Sequence, residues 1–233
     1  MTKSKDYNFF LAIRPSNIKL EVIDSNNEIY FSKKNFIDDS SENINLDTLE
    51  KFLKNYIFDI EKSLNNYVKD IHLVLDTNDF LFVNLSMKYT LDGIKFDQNR
   101  LNSLLVELKN QFKTTIGNFD VIHMVINKFI VDGKMYSHLA EVNNYSEICL
   151  EIKFICLNKS IIENLKYILS KYQIIVRNII CFKYLKGFQD FSDRNSSIIA
   201  YKVLNGLNQN EIFFSNKKTK NVSFFEKFFS YFN

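Results

Sequence analysis

The sequence predicts a mixed α/β protein folded as two interleaved lobes. Short runs rich in β-branched and aromatic residues alternate along the chain with longer stretches whose apolar residues recur every three or four positions. Strand and helix patterns mix throughout, with no internal repeat and no low-complexity linker between them.

Phe9 to Ile13 and Ile18 to Ile23 are β-rich runs separated by Pro15-Ser16-Asn17, and Glu28 to Phe31 continues the meander. Asp47 to Val68 carries Leu49, Phe52, Leu53, Tyr56, Ile57, Ile60, Leu64 and Tyr67 at helical spacing. Asp47 is its expected N-cap, with Glu50 three residues later closing a capping box. Ile71 to Leu75 and Phe80 to Leu85 are strands, and Tyr89 to Phe96 follows with Asp92-Gly93 as a turn signal. Leu101 to Phe112 is a helix starting near Asp97. Val121 to Ile126 and Phe129 to Val131 are strands running toward Asp132-Gly133, and Ile148 to Ile155 is a central strand. Lys159 to Tyr172 is helical, Ile174 to Cys181 is a buried strand, Ser196 to Leu204 is a helix, and Glu211 to Phe214 adds a short strand.

Composition removes several classes. A net charge of +3, with Lys and Glu interspersed, gives no basic stripe for nucleic acid. Cys149, Cys156 and Cys181 are odd in number and lack Cys-x-x-Cys spacing, which predicts reduced thiols in a cytosolic protein rather than a disulfide frame or zinc site. No ligand spacing suggests a metal. No apolar run approaches the ~18 residues of a membrane span, and the polar opening Met1 to Asp6 leads straight into a strand, so no signal peptide is expected. His123 in its strand is expected to be structural, His72 to pair with Asp70 at the surface, and His138 to sit in a polar loop. Asp76 and Asp79 flank a turn as solvated strand ends. No nucleophile, base and orienting group come together in the pattern, so the chain is read as a non-enzyme without cofactors.

The last twelve residues are the most telling. On a helix at about 100° per residue, Val222, Phe224, Phe225, Phe228, Phe229, Tyr231 and Phe232 fill one side, and Ser223, Glu226, Lys227, Ser230 and Asn233 the other. Lys217, Lys218 and Lys220 precede it, inside a polar run from Ser215 to Asn221. An aromatic face with a basic approach suits a peptide lying in an anionic membrane surface. Interfacial burial at about 1 kcal/mol per Phe and about 1 kcal/mol per Lys is set against backbone ordering of about 1–2 kcal/mol per residue. One copy therefore binds weakly, and several held together bind firmly. The same stripe fits a final helix docked on the protein's own body; the polar run favours the tether.

The order of parts resembles FtsA, the actin-like bacterial division protein that tethers FtsZ filaments to the inner membrane. Phe119 to Gly133 looks like the family's Val-Leu-His pattern, with Phe129 six positions after His123 and then Val131-Asp132. Ile152, Phe154, Ile155, Asn164, Leu165, Val176 and Ile179 fit a strand, an Asn-bearing helix and a Val-x-x-Ile strand. Leu11 to Leu20, the helix from Asp47 and the strand from Ile71 fit in order, and the terminal helix matches the family's membrane-targeting sequence. The resemblance implies the first lobe of an actin-like, ribonuclease-H-like fold over residues 1–76 and 157–214. It implies the FtsA-type inserted subdomain over 77–156, a polar linker over 215–221 and the membrane helix over 222–233.

It also implies what is altered. The family's second nucleotide-binding lobe has no counterpart here, and its phosphate-loop acidic residue, Gly and Thr fall on Ala12, Arg14 and Pro15. A phosphate cradle needs successive backbone N–H groups, and Pro15 has none to give. Gly93, Gly117, Gly133, Gly187 and Gly206 are isolated, with no phosphate-binding loop among them. Nucleotide binding is therefore not expected. The function implied is a peripheral adaptor on the cytoplasmic face of the inner membrane. It would be placed at the division site, linking divisome proteins to anionic lipids, with self-association through the inserted subdomain. FtsZ stays an open partner of the resemblance, since the family's FtsZ-binding surface lies chiefly on the lobe without a counterpart here. The alternative is a PilM-like adaptor of pilus or secretion-system assembly, which shares the fold and generally lacks the tail.

Overall fold

A computed structural model describes residues 7–37, 44–90, 98–136, 146–192 and 194–213. The chain divides into two compact units, Met1–Phe80 with Asn158–Asn205 and Leu81–Leu157 with Gly206–Asn233. Each is a mixed α/β body around its own sheet.

The first unit is built on β1 (Asn8–Arg14), β2 (Asn17–Ile23), β3 (Ile29–Phe36), β4 (Asp70–Leu75) and β9 (Ile175–Cys181), with α1 (Leu46–Leu64), α3 (Lys159–Ser170), α4 (Phe182–Leu185) and α5 (Ser196–Leu204). Its strands lie in the order β3-β2-β1-β4-β9. β1 to β3 form an antiparallel meander, while β4 runs parallel to β1 and β9 parallel to β4. The unit is thus a mixed α/β body of the class expected from the sequence. A strand run buried on both faces reads as almost continuously apolar, and Phe10, Leu11, Ala12 and Ile13 are all essentially inaccessible. Alternation turns Phe10 and Ala12 toward α4 and α5, where they join Val74, Ile180, Phe182, Ile199 and Val203 in one core.

α1 follows its apolar spacing: Leu49, Phe52, Leu53, Ile57, Ile60 and Leu64 are buried. At roughly 1.5–3 kcal/mol each, that stripe outweighs the ~1 kcal/mol of its cap. The cap itself is displaced from the expected Asp47. Asn45 holds the N-cap position and its Oδ1 accepts from Thr48 N at 3.0 Å, leaving Asp47 in the first turn. Glu50 closes no capping box; its Oε1 takes Lys171 Nζ at 2.7 Å beside α3. Asn65 ends the helix in the left-handed region at φ 48°.

The second unit holds β5 (Phe80–Thr90), β6 (Phe119–Val131), β7 (Lys134–Tyr136) and β8 (Glu147–Asn158), with α2 (Gln98–Ile116). The sheet order is β5-β8-β6-β7. Leu101, Leu105 and Phe112 of α2 pack with Met124, Ile126, Phe129, Ile148, Leu150, Ile152 and Phe154 of the sheet, and the Phe112 and Phe154 rings stack with centroids 4.1 Å apart.

Two strands are longer than their apolar runs. Phe80 to Thr90 is one strand although Ser86 and Lys88 interrupt the pattern, and Phe119 to Val131 continues through Asn127 and Lys128. These polar residues face solvent on a one-sided sheet, so they cost no burial and do not end the pairing. Asp132 and Gly133, at φ 46° and 77°, make the turn between β6 and β7. The Asp132 carboxylate accepts from Ser146 N, Ser146 Oγ and Glu147 N, and these bonds hold its carboxyl below the usual carboxylate range. Residues 206–214, expected with the first lobe, instead join the second unit: Ile126 N donates to Asn210 O and Ile212 N to Met124 O. The expected strand there reduces to a single bridge between Val125 and Glu211. The turn at Asp92-Gly93, Asp97, His138 and the whole membrane-helix set lie outside the described residues.

Candidate functional site

In the first unit β1, β4 and β9 run in one direction, and ligands of such sheets bind beyond the carboxyl ends of the strands. That end gathers the β1–β2 turn, residues 76–79 after β4, the start of α4 after β9 and the N-terminus of α5. Of the positions where the resemblance places the phosphate loop, Ala12 lies within β1, Arg14 ends it and Pro15 begins the turn at this end of the sheet.

The β1–β2 connection is a two-residue hairpin turn, Pro15-Ser16, closed by the pairing of Arg14 with Asn17. Ala12 is fully buried. Arg14, only 8% exposed, turns inward. Its Nη2 donates to Ser196 Oγ at 3.2 Å and its Cζ lies 3.8 Å from the centroid of the Phe182 ring. Asn17 Nδ2 donates to Ser16 Oγ at 2.9 Å, and the Ser16 carbonyl accepts from Ile37 N at 3.0 Å. The Arg14 Nη2, the Asn17 Nδ2 and the Ser16 carbonyl are thus engaged with the protein itself, while Arg14 Nε and Asn17 Oδ1 are buried without a hydrogen bond.

A second row lies alongside. Lys19 Nζ and Glu21 Oε2 are 2.9 Å apart with side chains 8% and 4% exposed. Ser197 Oγ donates to Glu21 Oε2 at 2.6 Å and Ser32 Oγ to Glu21 Oε1 at 3.3 Å. A buried carboxylate persists only when paired and hydrogen-bonded, and Glu21 is both. After β4, Thr77 Oγ1 donates to Asp79 Oδ2 at 2.5 Å, Lys183 Nζ reaches Asn78 Oδ1 at 2.7 Å, and Asp76 N donates to Ile13 O at 3.0 Å. Asp79 is therefore a hydrogen-bonded turn residue rather than a solvated strand end.

No sequence pattern marks Lys19, Glu21, Ser196 and Ser197 as a set. Lys19 and Glu21 alternate with apolar residues as a solvent face would, yet all seven residues of β2 are buried.

His123 has the partner that its neighbourhood in sequence lacks. Its Nδ1 lies 2.6 Å from Glu211 Oε1, with both side chains almost fully buried. His72 does not pair with Asp70: Arg177 Nη2 takes Asp70 Oδ2 at 2.8 Å. His72 stacks on Phe10 at 4.9 Å between centroids, with Asn178 Nδ2 3.0 Å from its Nδ1, and burial lowers its pKa to about 4. None of the three cysteines is in a disulfide; burial pushes Cys156 up to about 12 and Cys181 to about 11, so neither offers a reactive thiolate. Among the described residues no three His, Cys, Asp or Glu side chains gather as metal ligands, and no helix is long and apolar enough to cross a membrane.

No family model matches the chain, and no curated protein does. Among solved structures it is similar to a chain of the "PilM-PilN type IV pilus biogenesis complex", at 10% identity and a TM-score of 0.48, covering 76% of this chain and 48% of that one. It is also similar to the cytoplasmic domain of EpsL, an inner membrane component of the type II secretion system of Vibrio cholerae, at 10% identity and a TM-score of 0.38, covering 77% and 59%. The ethanolamine utilization protein EutJ from Carboxydothermus hydrogenoformans is similar at 10% identity and a TM-score of 0.27, covering 87% and 68%. The chain thus spans about half the length of the first and less than two thirds of the second.

Proposed function

We propose that this chain is a non-catalytic adaptor on an actin-type lobe, which holds a partner protein at the cytoplasmic face of a membrane in pilus or secretion-system assembly. One observation carries the loss of nucleotide chemistry. At the phosphate-loop position Arg14 is folded back onto Ser196 and Phe182, and Pro15 offers no N–H. A phosphate cradle works through free, convergent backbone donors, and the guanidinium of this turn lies against Ser196 and Phe182. A lobe that no longer reads a nucleotide retains a rigid surface for protein partners. The partner class follows the kind of assembly named by two of the solved structures.

A second reading, an FtsA-like divisome adaptor, is favoured by the aromatic stripe and lysines of 217–233. A fluorescent fusion in the native host separates the two. Foci or a patchy envelope signal fit the pilus and secretion reading, a midcell ring moves the protein to division, and a diffuse signal refutes both. Saturating Mg-ATP is expected to leave the melting temperature unchanged. A ligand at a hundredfold its Kd would add about 2.7 kcal/mol, so a clear rise would mean the β1–β2 turn still binds phosphate.

A further inference from the structure

α1 buries one stripe and turns the opposite side to solvent. On a helix at about 100° per residue, Lys51, Lys54, Phe58 and Lys62 fall on one strip of that outer side, at spacings of three, four and four. All four are exposed. Phe58 stands 72% exposed, a ring on the far side of the helix from Leu49 and Ile60 of the buried stripe. Just past the C-cap, Tyr67 is as exposed as Phe58, and Lys69 follows it.

Several surface cations have carboxylate partners: Lys171 has Glu50, Lys88 has Glu147, Lys128 has Glu151 and Arg177 has Asp70. Lys51, Lys54 and Lys62 make no ion pair among the described residues. The nearby carboxylates of α1 are used otherwise, since Glu50 holds Lys171 and Glu61 Oε1 accepts from Val68 N at 2.9 Å. Asp47 stands a turn before Lys51, and Asp59 lies about 100° around the helix from Phe58. The strip from Lys51 to Lys62 is therefore cationic along about 17 Å, with an aromatic ring in its middle.

We propose that this outer face of α1 is a second lipid contact, which lies on an anionic membrane surface with Phe58 dipped among the headgroups. It rests on the adaptor reading's placement at a membrane and names a surface of the folded lobe that meets it. Anionic headgroups supply the charge that the strip lacks, and long lysine stems can lie along the interface while their ammonium groups reach phosphate. A protein partner fits less well. Protein interfaces are depleted in lysine and enriched in arginine, and every cation here is a lysine on a convex helix face. Each lysine near an anionic surface is worth about fivefold in affinity. The face by itself is thus too weak to hold the chain, and its part is to add to a stronger anchor.

The chain has no tryptophan, so Phe58→Trp in the full chain places a single fluorophore on the strip. Vesicles of phosphatidylglycerol mixed with phosphatidylcholine should shift its emission to the blue, and brominated lipid should quench it. Pure phosphatidylcholine should do neither. Changing Lys51, Lys54 and Lys62 together to Glu should weaken pelleting with the anionic vesicles by about a hundredfold, with circular dichroism unchanged. A full chain that pellets while the indole emission stays unshifted overturns the proposal and leaves the adaptor reading standing. Pelleting indifferent to the triple change does the same and gives the face to an acidic protein. An unaltered chain that does not pellet at all overturns the membrane placement and this contact together.

Discussion

His72 and Glu211 each show how a single side chain takes its role from the fold around it. Burial depresses His72 to about 4 from an ordinary 6.5, so its neutral form is the one folding selects. A histidine with a lowered folded pKa contributes its full stability above the unfolded value and loses it as pH falls. Between pH ~6.5 and ~4 the unfolded chain binds the extra proton, so stability should drop by up to ~3 kcal/mol across that window. His72→Gln should flatten that part of a urea-denaturation pH profile. Glu211 sits 2.6 Å from His123 in a nearly dry site. Removing one partner leaves a buried polar or charged group uncompensated, and Glu211→Ala should cost roughly 3–5 kcal/mol. Combining it with His123→Leu should recover much of the loss, read from chemical denaturation of the double-mutant cycle. His123 was visible in the sequence as a structural histidine; its partner was not, because 88 residues separate the two.

At the scale of elements, helical and strand periodicity located the helices α1, α2, α3 and α5 and nearly every strand, because a helix or strand with one buried stripe writes that stripe into the chain. Caps and ends were less legible. Asn45 and Asp47 are both good N-caps by residue type, and only the backbone decides which one closes the first turn. Asn45→Ala should lower the melting stability by about 1 kcal/mol, and Asp47→Ala by distinctly less, through its first-turn charge alone. The expected breaks within β5 and β6 failed for a different reason. A solvent-facing residue such as Lys88 or Lys128 interrupts hydropathy without interrupting hydrogen bonds, and both lysines find carboxylates on β8, Glu147 and Glu151.

At the scale of the whole molecule, the proposed reading includes attachment to a lipid surface. The aromatic stripe of 222–233 with Lys217, Lys218, Lys220 and Lys227 is the sequence feature that proposes a lipid bilayer. Deleting 222–233, or changing Phe225 and Phe228 to Asp, should abolish co-sedimentation with anionic liposomes. Unchanged pelleting would refute the tether. Added salt should weaken the wild-type binding without eliminating it, since lysine attraction is screened and phenylalanine burial is not.

What the sequence determined by itself was the alternation of strands and helices, their order along the chain and the missing N–H of Pro15. Those are local properties: a period, an order of segments, a missing N–H. What the tertiary structure decided was where the polar groups inside the lobes find partners. Lys19, Glu21 and Ser197 form one buried network that exposed Ser32 joins at its rim, and Arg14 reaches Ser196, 182 positions away. Burial raises the cost of an unpaired charge by several kcal/mol, and the partner that meets the cost is chosen by strand order and helix placement, which no local window of residues contains.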